Sequence, residues 1–386
     1  MKINIVTLTF LIISADRLGF SSGESLDFSA NDEEASVGWH KCSSDEQMAH
    51  RELCHLLSRA STEPHILAQE FEDWAEEKQL LVNPLDIPPV ETRTSRSLLR
   101  KQNSSSLPVV MAHGMGDSCF NSGMESIVDG VSDMLDGAYT TCIPTGKNQV
   151  EDILNGFILN MDANVDVFAE KVKADPALKD GFNAIGFSQG NNVIRGYIAR
   201  YNDPPVNTFL SICGVNAGVA AIPYCEPSFP NVLGDKCEAL VQITSKAAYN
   251  RFVQQHLFQA NYWRDPEKVD SREYKVHSQL ARWGNEGLHF DQSLKDNFAR
   301  TNKFVWVMAE EDLIVWPRQG EQWGAPDPTN PLKSVIPMKE TDWYMNDSFG
   351  LKSADDAGKM FFESFRGNHL KFSIDDLSKW IDTYFK

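Results

Sequence analysis

The chain has 386 residues, enough for one large catalytic domain and an additional segment. Its formal net charge of -18 argues against nucleic-acid partners, because binding to phosphate backbones is driven by basic patches. Beyond the N-terminus, no stretch reaches the roughly 18 apolar residues that a membrane span needs. Composition therefore favours a globular protein whose substrate is not a nucleic acid.

The N-terminus has the pattern of a secretory signal peptide, which we place at residues 1–22. Lys2 precedes an apolar run from Ile3 to Ile13, and small and polar residues follow. The run is too short for a comfortable bilayer span, so we expect cleavage and no stable membrane span afterwards. Sequons at Asn103 and Asn346 suit the same export route. The expected location is the secretory pathway, with a vesicle or the exterior as the destination.

An exported chain meets an oxidising lumen, where its 7 cysteines become candidates for disulfide bonds, with one left over. We favour a bridge between Cys225 and Cys237, which flank a loop containing proline and glycine. For Cys42 and Cys54 we favour a bridge over a metal site, because the nearby histidines lack the usual spacing of zinc ligands.

Residues 23–106 differ in composition from the rest of the chain and are interpreted as an N-terminal extension. Helical periodicity appears at Asp45–Arg59 and His65–Leu81. A basic, serine-rich stretch from Thr92 to Ser106 indicates an exposed linker. A propeptide trimmed at this linker and a helical appendage packed on the main domain both fit the pattern.

From residue 107 onwards, short apolar runs alternate with helical patterns. The runs of strand length are Leu107–Ala112, Phe182–Phe187, Val206–Cys213, Phe304–Ala309 and Met360–Phe365. The helical patterns are Val165–Lys173, Asn191–Tyr201 and, at the C-terminus, Asp375–Phe385. Such alternation indicates a mostly parallel sheet covered on both faces. We predict an α/β fold for a domain at 107–386.

Residues 218–300 interrupt this alternation and are predicted to form a helical insertion over the sheet. The main helical pattern within it runs from Ala247 to Tyr262. Its aromatic and aliphatic side chains suit a lid over an apolar groove, although they also suit a plain core.

The sequence Gly-Phe-Ser-Gln-Gly at residues 186–190 matches a nucleophile elbow. In this motif a serine sits on a sharp turn between a strand and a helix, and small residues flank it because the turn is tight. The predicted strand at 182–187 and the helical pattern that follows supply that context. Ser188 is therefore the predicted nucleophile, and the motif predicts an α/β fold of the α/β-hydrolase type with 107–386 as the catalytic domain.

A serine hydroxyl needs a base to remove its proton and an acid to orient that base. In this fold the acid and then the histidine follow the serine along the chain. His369 is the histidine that follows the strand-like run Met360–Phe365, and Asp312 stands just beyond Phe304–Ala309. Glu310 and Glu311 compete with Asp312, which we prefer because it lies deeper in the loop. His256, His277 and His289 precede the strand-like run Phe304–Ala309 and are interpreted as surface or helix residues.

Hydrolysis through a tetrahedral intermediate also needs backbone N–H donors for the developing oxyanion. In this fold they come from the residue after the nucleophile and from the loop after an early strand. These positions are Gln189 and, in the His113–Gly116 stretch, Met115. His113 itself is expected to have a structural role.

Three stretches point to a particular family of hydrolases. They are HGMGDSC at 113–119, NAIGFSQG at 183–190 and ANYWRDP at 260–266. Together with Gly350-Leu351-Lys352 and Asn368-His369-Leu370, they resemble the lysosomal palmitoyl-protein thioesterase family from about residue 107 to the C-terminus. The extension before residue 107 has no recognised counterpart in that family.

The resemblance implies hydrolysis of the thioester that joins a long fatty acyl chain to cysteine in proteins or peptides. It places the catalytic triad on Ser188, Asp312 and His369 and the oxyanion donors on Met115 and Gln189. Cys225 and Cys237 match a disulfide of the family, while Ala169 and Tyr201 occupy the positions of a second one. Trp316 stands where the family has an acidic residue, close to Asp312.

The prediction is a serine hydrolase that removes palmitoyl-type groups from cysteine through an acyl-serine intermediate, without a metal or organic cofactor. Its expected partners are S-acylated proteins or peptides and fatty acyl thioesters. Two alternatives remain open at this point. One is a lipase or carboxylesterase that cleaves oxygen esters, because a triad does not itself distinguish the two bonds. The other is an inactive lipid-binding protein whose groove is blocked by the extension.

Overall fold

The computed structural model describes residues 106–221, 248–331 and 333–386. The predicted signal peptide and nearly all of the extension, including Asn103, lie outside these residues. So do the cysteines of the two predicted bridges, Cys42 with Cys54 and Cys225 with Cys237. These predictions therefore remain predictions.

The described part of the chain contains a central sheet of parallel strands. Its strands are β1 Val109–Ala112, β2 Thr140–Cys142, β3 Phe182–Phe187, β4 Val206–Ile212, β5 Lys303–Ala309 and β8 Met360–Phe365. They pair in the order β2-β1-β3-β4-β5-β8. Two short strands, β6 Ala325–Pro326 and β7 Val335–Ile336, form a separate antiparallel pair.

Helices cover both faces of the sheet. Those outside the insertion are α1 Ser122–Met134, α2 Gln149–Ile158, α3 Met161–Ala174, α4 Gly190–Arg200, α10 Asp342–Met345, α11 Leu351–Asp356 and α12 Ile374–Tyr384. The apolar side chains of α1 and α12 form one buried cluster with one face of the sheet. Those of α3 and α4 form the cluster on the other face. The predicted α/β fold with a covered parallel sheet is confirmed.

Between β4 and β5, the described residues form short helices. They are α5 Arg251–His256, α6 Phe258–Asn261, α7 Arg272–His277, α8 Gln279–Trp283 and α9 Gln292–Ala299. The single helix predicted at 247–262 is wrong, because the chain becomes extended at Leu257, with φ -134° and ψ 111°. The side-chain amide of Gln254 donates 2.7 Å hydrogen bonds to the carbonyl oxygens of Ala248 and Ala260. These bonds fold the segment back on itself and stabilise the break.

The order of the strands also indicates where a ligand binds. Strand β2 lies on one side of β1, and the chain then returns to form β3 on the other side of β1. The carboxyl ends of β1 and β3 therefore border a point where the strand order reverses, and open α/β sheets bind ligands in such crevices. The loops that carry His113 and Ser188 begin there.

A disulfide bond between Cys119 and Cys142 joins the loop after β1 to the edge strand β2. Their Cα atoms lie 5.4 Å apart and 23 residues separate them in sequence. The sequence analysis did not single out this pair. Among the described cysteines, Cys213 is free and buried.

Removing this bridge with the double substitution C119S/C142S should lower the free energy of unfolding by about 3 kcal/mol. The reason is that the bridge restricts the unfolded chain over a loop of this length. Urea unfolding of the variant and the unchanged protein measures the difference. The single variant C119S is the comparison, since it breaks the bridge but leaves one thiol. A loss well under about 1 kcal/mol in the double variant would contradict the entropic argument.

Candidate active site

Ser188 lies on the turn between β3 and α4. Its backbone φ of 50° lies in the left-handed region, and its N–H donates to the carbonyl of Ile212 at 3.0 Å. The flanking glycines are required by close approach. A Cβ atom at Gly186 would lie 2.3 Å from Asn191 Oδ1, and one at Gly190 would lie 2.3 Å from the carbonyl oxygen of Ala112. The sharp turn holds the Ser188 hydroxyl at the carboxyl end of the sheet.

His369 and Asp312 form a hydrogen-bonded chain with Ser188. Nε2 of His369 lies 2.8 Å from Ser188 Oγ, and Nδ1 lies 2.5 Å from Asp312 Oδ2. Asp312 is fully buried, and Ser188 and His369 are almost fully buried. The structure thus brings together the nucleophile, base and acid that the sequence analysis predicted from three distant parts of the chain.

Two loops hold this arrangement. Oδ1 of Asp312 accepts hydrogen bonds from the N–H groups of Ile314 and Val315 at 2.7 and 2.8 Å. The side chain of Asn368 accepts a bond from Leu313 N–H at 3.0 Å, which joins the loop of Asp312 to that of His369. Burial disfavours a charge on Asp312, yet its interaction with His369 and the hydrogen bonds that its carboxylate accepts hold its pKa below the usual value.

The other candidates for base and acid lie elsewhere. Glu310 and Glu311 are exposed, and they contact Ser364 and Arg366. His289 is exposed on the insertion, where His256 and His277 also lie at or near helix ends. Each of these histidines is thus placed as a surface or helix residue.

The loop after β1 lies directly against the elbow. A Cβ atom added to Gly114 would be 3.4 Å from both the Phe187 carbonyl oxygen and Ser188 Cβ. Met115, the next residue, therefore lies near Ser188, and Gln189 immediately follows Ser188 in sequence. Within the described chain, neither of these backbone N–H groups donates to another backbone carbonyl.

His113 belongs to a buried cluster centred on Asp152, at the start of α2. Asp152 accepts hydrogen bonds from the hydroxyl of Ser118 at 2.9 Å and the N–H of Cys119 at 3.0 Å. It also accepts from the N–H groups of Thr145 at 2.6 Å and Gly146 at 3.0 Å. Nε2 of His113 lies 3.2 Å from its carboxylate. One carboxylate thus ties the loop after β1 to the loop after β2.

This cluster changes the ionisation of both partners. Burial opposes a charge on His113, but the charge and hydrogen bond of Asp152 outweigh it and raise the pKa of His113 to about 9. Burial likewise opposes a charge on Asp152, yet His113 and the backbone donors hold the pKa of Asp152 below its usual value. The pair is an ion pair at neutral pH, which agrees with the structural role expected for His113.

The side chain of Gln189 joins the elbow to the insertion. Its amide Nε2 donates to the carbonyl of Gly156 at 2.7 Å. Its Oε1 accepts from Gln259 Nε2 at 2.9 Å and from the Tyr262 hydroxyl at 3.2 Å. An apolar recess adjoins Gln189 and is lined in part by Ala112, Ile143, Val193 and Phe258.

Sequence reasoning missed two buried acids at this site, Asp152 and Glu321. Glu321 lies on a short 3₁₀ helix, Arg318–Gln322, and is in contact with Asp312. Neither acid belongs to a motif, and each lies among polar residues that look like surface positions in the sequence.

Trp316, which departs from the family pattern, donates from its ring N–H to the carbonyl of Pro331 at 3.2 Å. Its presence therefore leaves the bonds of Asp312 in place.

The chain is similar to several known proteins. Residues 108–369 match the palmitoyl protein thioesterase family. Palmitoyl-protein thioesterase 1 of Caenorhabditis elegans is 34% identical over 268 residues, which cover 69% of this chain and 87% of that protein. The lysosomal thioesterase PPT2 homolog of Drosophila melanogaster is 27% identical over 186 residues, covering 47% of this chain and 59% of that protein. A solved structure, carboxylesterase CesB from Bacillus subtilis, aligns with a TM-score of 0.36 and 12% identity over 72% of this chain and 84% of that one.

Proposed function

The chain belongs to the palmitoyl protein thioesterase family, and from this premise we propose that it hydrolyses thioesters between long fatty acyl groups and cysteine in proteins or peptides. The observation that carries the proposal is the contact between Ser188 Oγ and His369 Nε2, 2.8 Å. A hydroxyl in that contact has its base within reach. This arrangement does not favour the alternative of an inactive lipid-binding protein.

In the proposed reaction, the Ser188 hydroxyl attacks the thioester carbonyl while His369 takes its proton. The tetrahedral intermediate then collapses, the carbon–sulfur bond breaks, and the imidazolium protonates the departing thiolate. Water, activated by the same imidazole, attacks the acyl-serine and releases the fatty acid. Asp312 keeps His369 in the tautomer whose Nε2 faces Ser188.

We propose that the backbone N–H groups of Met115 and Gln189 stabilise the oxyanion of the tetrahedral intermediate. Two features support this assignment: the close packing of Gly114 on the elbow, and the lack of a backbone acceptor for either N–H in the described residues. Donors held in advance at the place where charge develops lower the barrier without reorganisation. The apolar recess beside Gln189 is the proposed entrance for the acyl chain.

The proposal extends to the organisation and location of the chain. We take 107–386 as the catalytic domain with 218–300 as its insertion, and 23–106 as the extension. The match over 108–369 supports this division.

The signal-like N-terminus and the lysosomal relative support a location in the secretory pathway, with a lysosome-like compartment as its end. Within the described residues, no helix has the length and apolarity for a bilayer span. Asn346, a proposed glycan acceptor, is exposed at the end of α10.

The substrate class can be tested with matched peptides that carry the same acyl group on cysteine or on serine. We expect kcat/KM to be at least about tenfold higher for the thioester, a difference of about 1.4 kcal/mol. It should also rise with acyl length by up to about fourfold per methylene, because each buried methylene contributes about 0.8 kcal/mol. Equal or better cleavage of the oxygen ester would favour the lipase or carboxylesterase alternative. A flat dependence on acyl length would contradict a long apolar site.

A further inference from the structure

Glu321 is a fully buried carboxyl group in contact with Asp312. Its Oε2 accepts a hydrogen bond from the N–H of Ala309, the last residue of β5, at 3.0 Å. Its Oε1 is buried without a hydrogen-bond partner among the described residues. A buried acceptor without a donor is costly, so the protonation state of this oxygen needs an explanation.

The titratable groups that face Glu321 are Asp312, from the loop after β5, and Cys213, at the end of β4. Neither is a cation. Two buried carboxyl groups in contact cannot both hold a negative charge at low cost, so one of them keeps a proton. Asp312 already accepts from two backbone N–H groups and from His369, whereas Glu321 accepts from one backbone N–H. The charge therefore belongs on Asp312 and the proton on Glu321.

Ionisation follows the same distribution. Burial raises the pKa of Glu321 well above its usual value, and the charge of Asp312 raises it further. The pKa of Asp312 is held low, since His369 and its backbone donors outweigh burial. Protonation also gives Glu321 Oε1 what it lacks, because an O–H group beside a carboxylate donates to it.

We propose that Glu321 is a positioning residue for the hydrolysis: a neutral carboxylic acid whose O–H donates a hydrogen bond to Asp312 while Oε2 accepts from Ala309. This inference rests on the proposed function, since it concerns the acid that orients His369. The bond fixes the Asp312 carboxylate and spreads its negative charge. Loss of the bond would strengthen the attraction of that charge for a proton on His369.

Two substitutions separate the hydrogen bond from the charge. In Glu321→Gln the amide still donates to Asp312 and accepts from Ala309, but it never ionises. In Glu321→Leu both bonds are lost at similar volume. The measurement is the pH profile of kcat/KM on a soluble activated ester, whose turnover needs the triad but not recognition of a palmitoyl group. Failure to cleave palmitoyl thioesters would therefore overturn the proposed function without affecting this comparison.

We expect Glu321→Gln to retain kcat/KM within about threefold and to keep the acidic limb of the profile in place, since it preserves a neutral donor. Glu321→Leu should lose about 10- to 100-fold, the equivalent of one hydrogen bond to a charged group, and its acidic limb should move to higher pH. If Glu321 were ionised instead, Glu321→Gln would remove a negative charge and move the acidic limb to lower pH. That result, or a profile of Glu321→Leu that equals the unchanged protein, would overturn the proposal.

Infrared spectroscopy provides a readout that does not depend on turnover or on the stability of the leucine variant. A neutral carboxylic acid has a carbonyl stretch distinct from that of a carboxylate. The spectrum of the unchanged protein at neutral pH should contain such a band, and it should be absent from Glu321→Gln. Identical spectra of the two proteins in that region would also overturn the proposal.

Discussion

Replacing Ser188 with Ala is expected to reduce kcat on a palmitoyl thioester by roughly 10⁴- to 10⁶-fold. The hydroxyl 2.8 Å from His369 Nε2 is the proposed nucleophile, and alanine has no group that could form the acyl intermediate. KM should change little, because the acyl chain and the peptide bind through other contacts. Single-turnover and steady-state kinetics measure the loss, and labelling by a fluorophosphonate probe should disappear in parallel.

Ser126→Ala is the matched control, since it removes a hydroxyl on α1 that donates only to the carbonyl of Ser122. It should retain kcat within about twofold, as surface substitutions usually do. Residual turnover in Ser188→Ala within tenfold of the unchanged protein would show that another group is the nucleophile. The roles of His369 and Asp312 would then fall with it.

Replacing Asp152 with Asn should lower the free energy of unfolding by about 3 to 5 kcal/mol, as removal of one partner of a buried ion pair usually does. The amide presents a donor where the carboxylate accepts bonds, so it opposes the N–H groups of the two loops that meet there. It also leaves His113 without its counter-charge. The loop after β1, which Asp152 holds, also carries Met115, so kcat should fall as well. Asp129→Asn, on an exposed position of α1, is the control.

The effect of Asp152→Asn should depend on pH in a defined way. The folded pKa of His113 is raised from 6.5 to about 9, so its contribution to stability is complete below about 6.5 and is lost as pH rises through 9. The folded pKa of Asp152 is lowered from 3.8, so its contribution is present above about 3.8 and is lost at lower pH. The pair therefore stabilises the protein most between about pH 4 and 6.5.

Urea unfolding at pH 5, 7 and 9 tests this dependence. As the pH rises from 5 to 9, the free energy of unfolding of the unchanged protein should fall by about 3 kcal/mol through loss of the proton on His113. A shift of one pKa unit corresponds to about 1.4 kcal/mol. Asp152→Asn should lack that decline. A variant that destabilises the protein equally at all three pH values would contradict an ion pair at this position.

Much of the site was predictable because its geometry demands particular residues next to each other in sequence. The elbow needs glycines at 186 and 190, where any Cβ would collide with Asn191 or with the backbone after β1. Strands β3 and β8 both have the predicted bounds, although only β3 is buried along its whole length and β8 is buried at its two ends. The position of His369 after the last strand then followed from chain order alone.

The parts that sequence reasoning missed depend on contacts between distant residues. Strand β2 has three residues and no apolar run, and it forms by pairing with β1. The partner of Cys119 became clear only once β2 was placed beside the loop that carries it. Asp152 is polar in sequence but fully buried in the structure, because donors from two loops converge on it. Such convergence leaves no local pattern.

The bonds of Gln189 have a consequence for how this protein can change over evolution. Its backbone follows Ser188, while its side chain bonds to Gly156 of α2 and to Gln259 and Tyr262 of the insertion. A displacement of the insertion that widens the entrance must stretch or break these bonds and so disturb the turn itself. In the proposed mechanism, substrate range and reaction rate are therefore not independent traits, and a lineage that remodels the proposed entrance for a bulkier acyl group must also restore the support of this one amide.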